Sequence, residues 1–479
     1  MNATIRRTAV ALGLLILALM INANVLAVIQ NDELRARDGN RRQIIDEYDQ
    51  QRGSILVGRK EVAKSVPTEE RLRYLRVYSD GSAYAPATGY YSVYGATGIE
   101  KTENDLLAGS DDRLFVDRLT TLFSGQQQQG GTVVLSLDAE AQRAAFDGLD
   151  GQEGAVVALD PSTGAILALA SSPSFDPNLL ASHDPTVVSE NYDKLRKDPG
   201  DPLLNRSIQQ VYPPGSLFKV VVSAAALSSG DYTPNTEIPG PAALDLPDTS
   251  ATISNFDNAP CLGGTVTLTE ALALSCNTAF AQVGLDLGDD ALRAQAEKFG
   301  FNQRLDIPLA VAPSVYPNDL NAPQTAQSAI GQYDVRATAM QMAMVGAGVA
   351  NDGVVMKPYL VAEERAPNLS ALSITKPEPL SRAVSSEVAG ELSDMMVTVV
   401  SNGTGGSAAI PGVNVGGKTG TAQDGNRPPH VWFMAFAPAE DPQIAVAVIV
   451  ENGGRLGDAA TGGAVAGPIA RQVMEAVLQ

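Results

Sequence analysis

Three short groups of residues in this chain have the types and spacing to do chemistry together. The first is Ser216-Leu217-Phe218-Lys219, which follows Pro213-Pro214-Gly215 and precedes the apolar, alanine-rich run from Val220 to Leu227. The prolines and glycine break any earlier regular structure, and the run after them reads as a buried helix. Ser216 is thereby placed at a helix start, where free backbone N–H groups and the positive dipole end favour developing negative charge. Lys219 shares its face one turn along, so its amine is expected to reach the Ser216 hydroxyl. A serine alcohol attacks well only when a neighbouring base takes its proton, and a neutral lysine can be that base. Burial and a second nearby cation both push a lysine toward the neutral form.

The second group is Ser275-Cys276-Asn277, at the end of the helical-looking segment Thr269 to Leu274. The third is Lys418-Thr419-Gly420-Thr421, flanked by the β-prone stretches Val413 to Val415 and Val431 to Phe436. It reads as a strand whose glycines let a ligand approach the backbone. Each group has a bland reading: an N-capping serine, a polar helix end, a surface strand. Ser373-Ile374-Thr375-Lys376 and Ser189-Glu190-Asn191 show that the first two patterns also arise by accident, whereas Lys-Thr-Gly occurs once. Taken together they describe an acyl transfer. Ser216 attacks an amide carbonyl, Lys219 accepts its proton, and Ser275 relays a proton to the leaving amine. Asn277 orients Lys219 and a substrate amide, and Lys418 offers a cation to a substrate carboxylate. The Ser216 N–H and a strand N–H near Thr421 are the expected oxyanion hole.

These groups need a scaffold, and the chain has room for one with 479 residues. Arg6 and Arg7 precede an uncharged run from Thr8 to Asn31, apolar from Ala9 to Ile29 apart from Asn22 and Asn24. That length suits an uncleaved transmembrane anchor, with a cytoplasmic N-terminus and the remainder exported. A cleaved signal peptide ending near Val25-Leu26-Ala27 is the alternative. Residues 1–31 are therefore expected to be a cytoplasmic tip and anchor. From 32 to 131 the composition is polar and irregular, with a charged helix from Glu33 to Gln51 and a flexible joint at Gln126 to Gly131. No nucleophile–base pair stands out there, so this segment reads as a non-catalytic scaffold or docking module. Residues 132–479 are expected to form the catalytic domain. Its sheet would use Gly131 to Leu137, the hairpin strands around Asp160-Pro161-Ser162-Thr163-Gly164, and Val431 to Ala437 with Gln443 to Val450. Strands at both ends and helices between them make an α+β architecture. The methionines of Val335 to Ala350 and Ser385 to Val400 read as core packing. The glycine-rich Ser401 to Gly406 loop lacks the lysine-bearing helix of a phosphate cradle.

A net charge of −20 argues against nucleic acid as a partner. Two histidines and two cysteines, with no spaced ligand set, give neither a metal site nor a cofactor. Cys261 and Cys276 lie on the exported side, where disulfides persist, and are expected to pair. A buried free thiol at Cys276 is the alternative.

Ser-x-x-Lys on a helix, Ser-x-Asn, then Lys-Thr-Gly on a strand resembles the signature of penicillin-binding proteins and class A β-lactamases. Arg52-Gly53-Ser54-Ile55-Leu56 and Gly95-Ala96-Thr97-Gly98-Ile99-Glu100 look like the non-catalytic module of class B penicillin-binding proteins. The likeness covers essentially the whole chain and is greatest to the actinobacterial A-type group. It implies a penicillin-binding transpeptidase (serine β-lactamase-like) fold with a small N-terminal module and a single membrane anchor. By resemblance, Ser216, Lys219, Ser275, Asn277 and Lys418 are catalytic, and Thr419, Gly420 and Thr421 bind substrate. The implied activity is D,D-transpeptidation of peptidoglycan stem peptides ending in D-Ala-D-Ala, inhibited by β-lactam antibiotics, in wall and septum synthesis. The implied partner in the inner membrane is a RodA/FtsW-type glycosyltransferase. A D,D-carboxypeptidase is the nearest alternative. A penicillin sensor would need signalling helices or a cytoplasmic domain, and a β-lactamase would need a deacylating base. No Glu-x-x-Leu-Asn segment occurs between Ser275 and Lys418. The cysteine inside Ser-x-Asn departs from the family pattern but leaves its chemistry intact.

Overall fold

The computed structural model describes residues 3–26, 47–115, 120, 123 and 127–479. Most of the charged helix expected from Glu33 to Gln51, and Gln126 of the glutamine run, lie outside these residues. The first element is α1 (Ala3–Asn24). Its stretch Ile5–Asn24 has a mean hydropathy of 1.7 and no part of it is buried within the protein. Twenty helical residues span about 30 Å, the thickness of a bilayer's hydrocarbon core, so α1 fits a single membrane anchor.

The module follows with β1 (Ile55–Val57), β2 (Lys60–Pro67), β3 (Tyr74–Tyr78) and α2 (Gly81–Thr88). Then come β4 (Thr132–Leu135), α3 (Ala139–Leu149) and the hairpin of β5 (Gly154–Leu159) and β6 (Ile166–Ser172). The middle supplies α4 (Lys219–Ser229), α5 (Leu268–Ala273), α6 (Asn277–Leu287) and α7 (Ala339–Ala350). Strands β7 (Val361–Arg365) and β8 (Ala371–Ile374) precede α8 (Ser386–Asn402). The chain ends with β9 (Gly416–Asp424), β10 (Arg427–Ala437), β11 (Ile444–Val450) and α9 (Gly462–Leu478).

Five strands form one antiparallel sheet in the order β9-β10-β11-β5-β6. Its central strand β11 is buried on both faces, which is why Ile444 to Val450 is continuously apolar and does not alternate. α3 and α9 cover one face through Ala141, Ala145, Ile469 and Val473. α7 covers the other, with Met340, Met342 and Met344 fully buried, as packing residues would be. Local chemistry sets the boundaries. Asp138 caps α3 by accepting from the Ala141 N–H at 2.8 Å. Thr267 and Glu270 form a capping box at the start of α5.

The second sheet corrects the expected division of strands. Its order is β8-β7-β4-β1-β2-β3. β4 does not join the catalytic sheet: it runs parallel to β1 and antiparallel to β7. A short apolar run announces a buried strand but not its partner. Nor is Gly130-Gly131 a loose joint. A Cβ on Gly130 would stand 1.7 Å from the Leu107 carbonyl oxygen, and one on Gly53 1.6 Å from that of Gly131. These glycines permit close backbone packing.

The same packing brings the two module motifs together around a buried carboxylate. Glu100 accepts from Arg52 Nε at 2.7 Å, Arg76 Nε at 2.6 Å and the Tyr78 hydroxyl at 3.0 Å. Burial alone would push the Glu100 carboxyl up, but the Arg76 and Arg52 guanidiniums outweigh it and hold it below its usual range.

Candidate active site

Ser216 lies in a 3₁₀ turn, Gly215–Phe218, that runs directly into α4. The turn is clamped from both sides. The Gly215 N–H donates to the Gly331 carbonyl at 3.0 Å, and Trp432 Nε1 of β10 donates to the Pro213 carbonyl at 3.0 Å. Gly215 has φ +53°, and a Cβ there would meet the Thr421 carbonyl oxygen at 2.7 Å. Only glycine allows the Ser216 turn to lie so close to the open edge of β9. The Thr421 carbonyl faces that turn, and in an extended residue the N–H of the same residue points the same way. The expected oxyanion pair is thus on facing backbones.

Lys219 opens α4 and is fully buried. Its Nζ is 2.7 Å from the Ser275 carbonyl oxygen, 2.7 Å from Asn277 Oδ1 and 3.3 Å from Ser275 Oγ. The expected hydrogen bond to Ser216 Oγ is not made: the amine is drawn to the Ser275–Asn277 corner instead. That arrangement has a use. A neutral amine has two hydrogens and one lone pair. The Ser275 carbonyl and Asn277 Oδ1 can only accept, so they take both hydrogens and leave the lone pair for an incoming proton. Asn277 Nδ2 donates to the Ser254 carbonyl at 3.0 Å, which keeps Oδ1 turned toward Lys219.

Ser275 follows α5 with φ +61°, a left-handed conformation uncommon for a residue with a Cβ. Its hydroxyl sits between two amines, since Lys418 Nζ of β9 donates to the same Oγ at 2.9 Å. Lys418 is also fully buried and donates to the Thr419 carbonyl at 2.9 Å. Burial pushes Lys219 well below the usual lysine range, and the neighbouring Lys418 charge adds to it. Burial pushes Lys418 down to about 7. Two desolvated amines sharing one hydroxyl can hold and pass a proton near neutral pH.

The structure thus brings Ser216, Lys219, Ser275, Asn277, Lys418, Thr419, Gly420 and Thr421 to one cleft between the Ser216 turn and the β9 edge. Gly420 has no room for a side chain, as its Cβ would be 2.9 Å from Trp432 Cβ and 3.1 Å from the Pro214 carbonyl oxygen. Cys261 and Cys276 are joined as a disulfide, which ties the 261–274 segment to the start of α6. Among the described residues no cluster of His, Cys, Asp or Glu suits a metal ion.

Two supporting residues escaped sequence reasoning. Asn255 Oδ1 accepts from the N–H groups of Asn277 at 3.0 Å and Thr278 at 3.1 Å, capping α6 from a distant loop. Its Nδ2 donates to the carbonyls of Pro241 and Ala259. No local pattern marks a cap that comes from 22 residues away. Thr404, in the glycine-rich loop given little weight above, shares a 2.7 Å hydrogen bond with the Thr419 hydroxyl. Its own N–H donates to the Ala273 carbonyl at the end of α5, so one residue braces both the Ser275 and Lys418 segments. The missed signal was Gly403, whose Cβ would stand 2.3 Å from the Ala273 carbonyl oxygen.

Comparison with known proteins gives this geometry its context. Residues 154–475 match the penicillin-binding protein transpeptidase domain, and residues 52–133 match the penicillin-binding protein A dimerisation domain. A peptidoglycan D,D-transpeptidase PbpA of Mycolicibacterium smegmatis is 49% identical, over 100% of this chain and 99% of that protein. Penicillin-binding protein A from M. tuberculosis, solved as a penicillin G acyl-enzyme complex, superposes with a TM-score of 0.86 at 45% identity, covering 90% of this chain and 100% of that one. The D,D-transpeptidase domain of a peptidoglycan glycosyltransferase from Eggerthella lenta gives a TM-score of 0.78 at 36% identity, over 90% and 98% of the two chains. By the transpeptidase match over most of its length and by relatedness along all of it, this chain belongs to the penicillin-binding protein transpeptidase family.

Proposed function

We propose that the chain is a peptidoglycan D,D-transpeptidase that carries its acyl group on Ser216. The observation that carries this reading is the convergence of two buried, depressed-pKa amines on Ser275 Oγ beside the Ser216 turn. Ser216 Oγ attacks the carbonyl of the D-Ala-D-Ala bond while the Lys219 lone pair takes its proton. The N–H groups of Ser216 and Thr421 hold the oxyanion, and loss of one such donor costs about 2.7–4 kcal/mol. Collapse breaks the C–N bond, and Ser275 passes a proton to the departing D-alanine amine. Lys418, Thr419 and Thr421 hold the carboxylate, and Asn277 holds the stem amide. An amine from a second stem then attacks the ester, returning the proton along the same path. The likeness to the mycobacterial D,D-transpeptidase PbpA and to the penicillin G acyl-enzyme of M. tuberculosis penicillin-binding protein A supports this course.

The proposed division is an anchor in residues 1–31, a non-catalytic module in 32–131 and the transpeptidase domain in 132–479. Arg6 and Arg7 before α1 favour a cytoplasmic N-terminus and an extracytoplasmic catalytic domain. A membrane glycosyltransferase of the RodA/FtsW kind, supplying nascent glycan strands, is the proposed partner.

Fluorescent penicillin tests the reading directly. The full chain should form one adduct, stable over hours by intact mass, and Ser216→Ala should form none. Labelling that persists in Ser216→Ala would overturn the assignment, and rapid turnover without an adduct would indicate a β-lactamase.

The pH profile carries a second expectation. Lys219 works as a base only when neutral, so acylation falls as pH drops through its depressed pKa. Protonated Lys418 attracts the ligand carboxylate, and that attraction is lost as pH rises through about 7 in the free protein. The second-order acylation rate with penicillin G should therefore decline above roughly neutral pH. A penicillin methyl ester, lacking the carboxylate, should show no such alkaline decline. Identical alkaline limbs for the two would remove Lys418 from carboxylate binding.

A further inference from the structure

Beside the Ser275–Asn277 corner two large apolar side chains stand in water: Phe256 is 83% exposed and Leu262 60%. A loose loop exposes such residues readily, but neither position is loose. The Asn258 N–H donates to the Asn255 carbonyl at 3.1 Å, closing a turn under Phe256, and Asp257 Oδ1 accepts from the Ala259 N–H at 3.0 Å. The Asn255 side chain is tied at both ends, to the Pro241 and Ala259 carbonyls and to the N–H groups that open α6. Leu262 follows Cys261, whose N–H donates to the Gly240 carbonyl at 2.9 Å and whose sulfur is bonded to Cys276. Its φ of +41° is a left-handed conformation that glycine adopts freely and leucine does not. The two anchors meet at one residue, since Cys276 Sγ also lies 3.6 Å from Asn255 Oδ1. A single exposed apolar residue is ordinary on a protein surface. Two of them, on braced backbone beside a catalytic asparagine, make a place for an apolar group.

Asn277 indicates which part of a ligand meets them. Its Nδ2 carries two hydrogens, and the Ser254 carbonyl takes one at 3.0 Å, which leaves the other for the carbonyl of a ligand amide. Phe256 follows Ser254 by two residues, at most about 7 Å of backbone. In the acyl donor, the nitrogen of that amide belongs to the D-alanine that Ser216 attacks, and its carbonyl to the residue before. In a penicillin the same amide carries the acyl substituent. We infer that Phe256 and Leu262 form the wall that receives the group beyond this carbonyl, and that they select acyl donors whose group there is apolar. The inference rests on Ser216 being acylated while Asn277 holds the donor amide, and it adds a specificity determinant to that reading.

The test compares two penicillins that differ by one phenyl ring. Penicillin G carries a phenylacetamido group, whereas 6-acetamidopenicillanic acid keeps the amide and ends in a methyl group. With the full chain in detergent, the second-order acylation rate of penicillin G should exceed that of the acetamido compound about tenfold. Phe256→Ala should cut this ratio about fivefold, and Phe256→Leu, which restores an apolar side chain, should recover most of it. Leu262→Gly suits the left-handed backbone and should cut the ratio about twofold. Thermal unfolding of each variant, run beside the kinetics, should match the parent because both side chains stand in water. A ratio unchanged in Phe256→Ala would overturn the inference. So would an equal fall for both penicillins, because a merely structural role slows both alike. Failure of the parent chain to acylate with either penicillin would instead take away the Ser216 reading, and the inference with it.

Discussion

Replacing Lys219 by methionine is expected to slow acylation of Ser216 by about a hundred- to ten-thousandfold, the usual contribution of a positioned general base. Methionine nearly preserves the length of the side chain and suits a site with no solvent exposure, so the helix start should survive. What it removes is the lone pair that the Ser275 carbonyl and Asn277 Oδ1 leave unoccupied. Arginine would not rescue the loss, because a guanidinium stays protonated. Stopped-flow acylation by a chromogenic cephalosporin measures the effect, with thermal unfolding run beside it. A variant that folds normally and acylates within tenfold of the parent would show that another group takes the proton.

The second large effect is on stability and lies far from the serine. Glu100→Ala leaves Arg52 and Arg76 buried without their shared carboxylate, both side chains being under 5% exposed. Breaking a buried ion pair by removing one partner costs roughly 3–5 kcal/mol, since the orphaned charge cannot return to water. The loss should appear as faster amide exchange through β1, β2 and β3, while slow amides of the catalytic sheet keep their protection. Glu100→Gln, which keeps the shape and two acceptor contacts, should lose less. Unchanged exchange in Glu100→Ala would mean that the triad adds nothing beyond packing.

Much of the site was legible in the sequence because each motif carries its own local structure. Pro213-Pro214-Gly215 before an apolar run announces a helix start, and Gly416-Gly417 amid β-prone residues announces a strand open to a ligand. Residue types then supply the chemistry. What could not be read were the long-range agreements between those pieces. Asn255 caps α6 across 22 residues, Trp432 holds Pro213 across 219, and Thr404 touches Thr419 across 15. Nothing in the local spacing of an asparagine or a threonine encodes such partners. The Lys219 amine shows the same limit. Its distance to Ser216 along the helix was plain, but its true partners lie 56 and 58 residues away and decided where it points. Among strands, β4 was recognised as a strand and placed in the wrong sheet, because a threonine and three apolar residues carry no address.

That misplaced strand bears on how the enzyme can be taken apart. β4 is stitched on one side to β1 and on the other to β7, so residues 132–135 and 361–374 complete a sheet that begins before residue 58. A catalytic fragment starting at 132 would carry away half of this sheet and leave β4 with a raw row of unpaired N–H and C=O groups. Such a fragment invites edge-to-edge self-association, and its poor solubility would be mistaken for a fault in the catalytic half. Sequence order separates a pedestal from an enzyme; the hydrogen-bond ladder does not. Domain shuffling in evolution meets the same obstacle, because exchanging the module alone would require the incoming strands to match the register of β4.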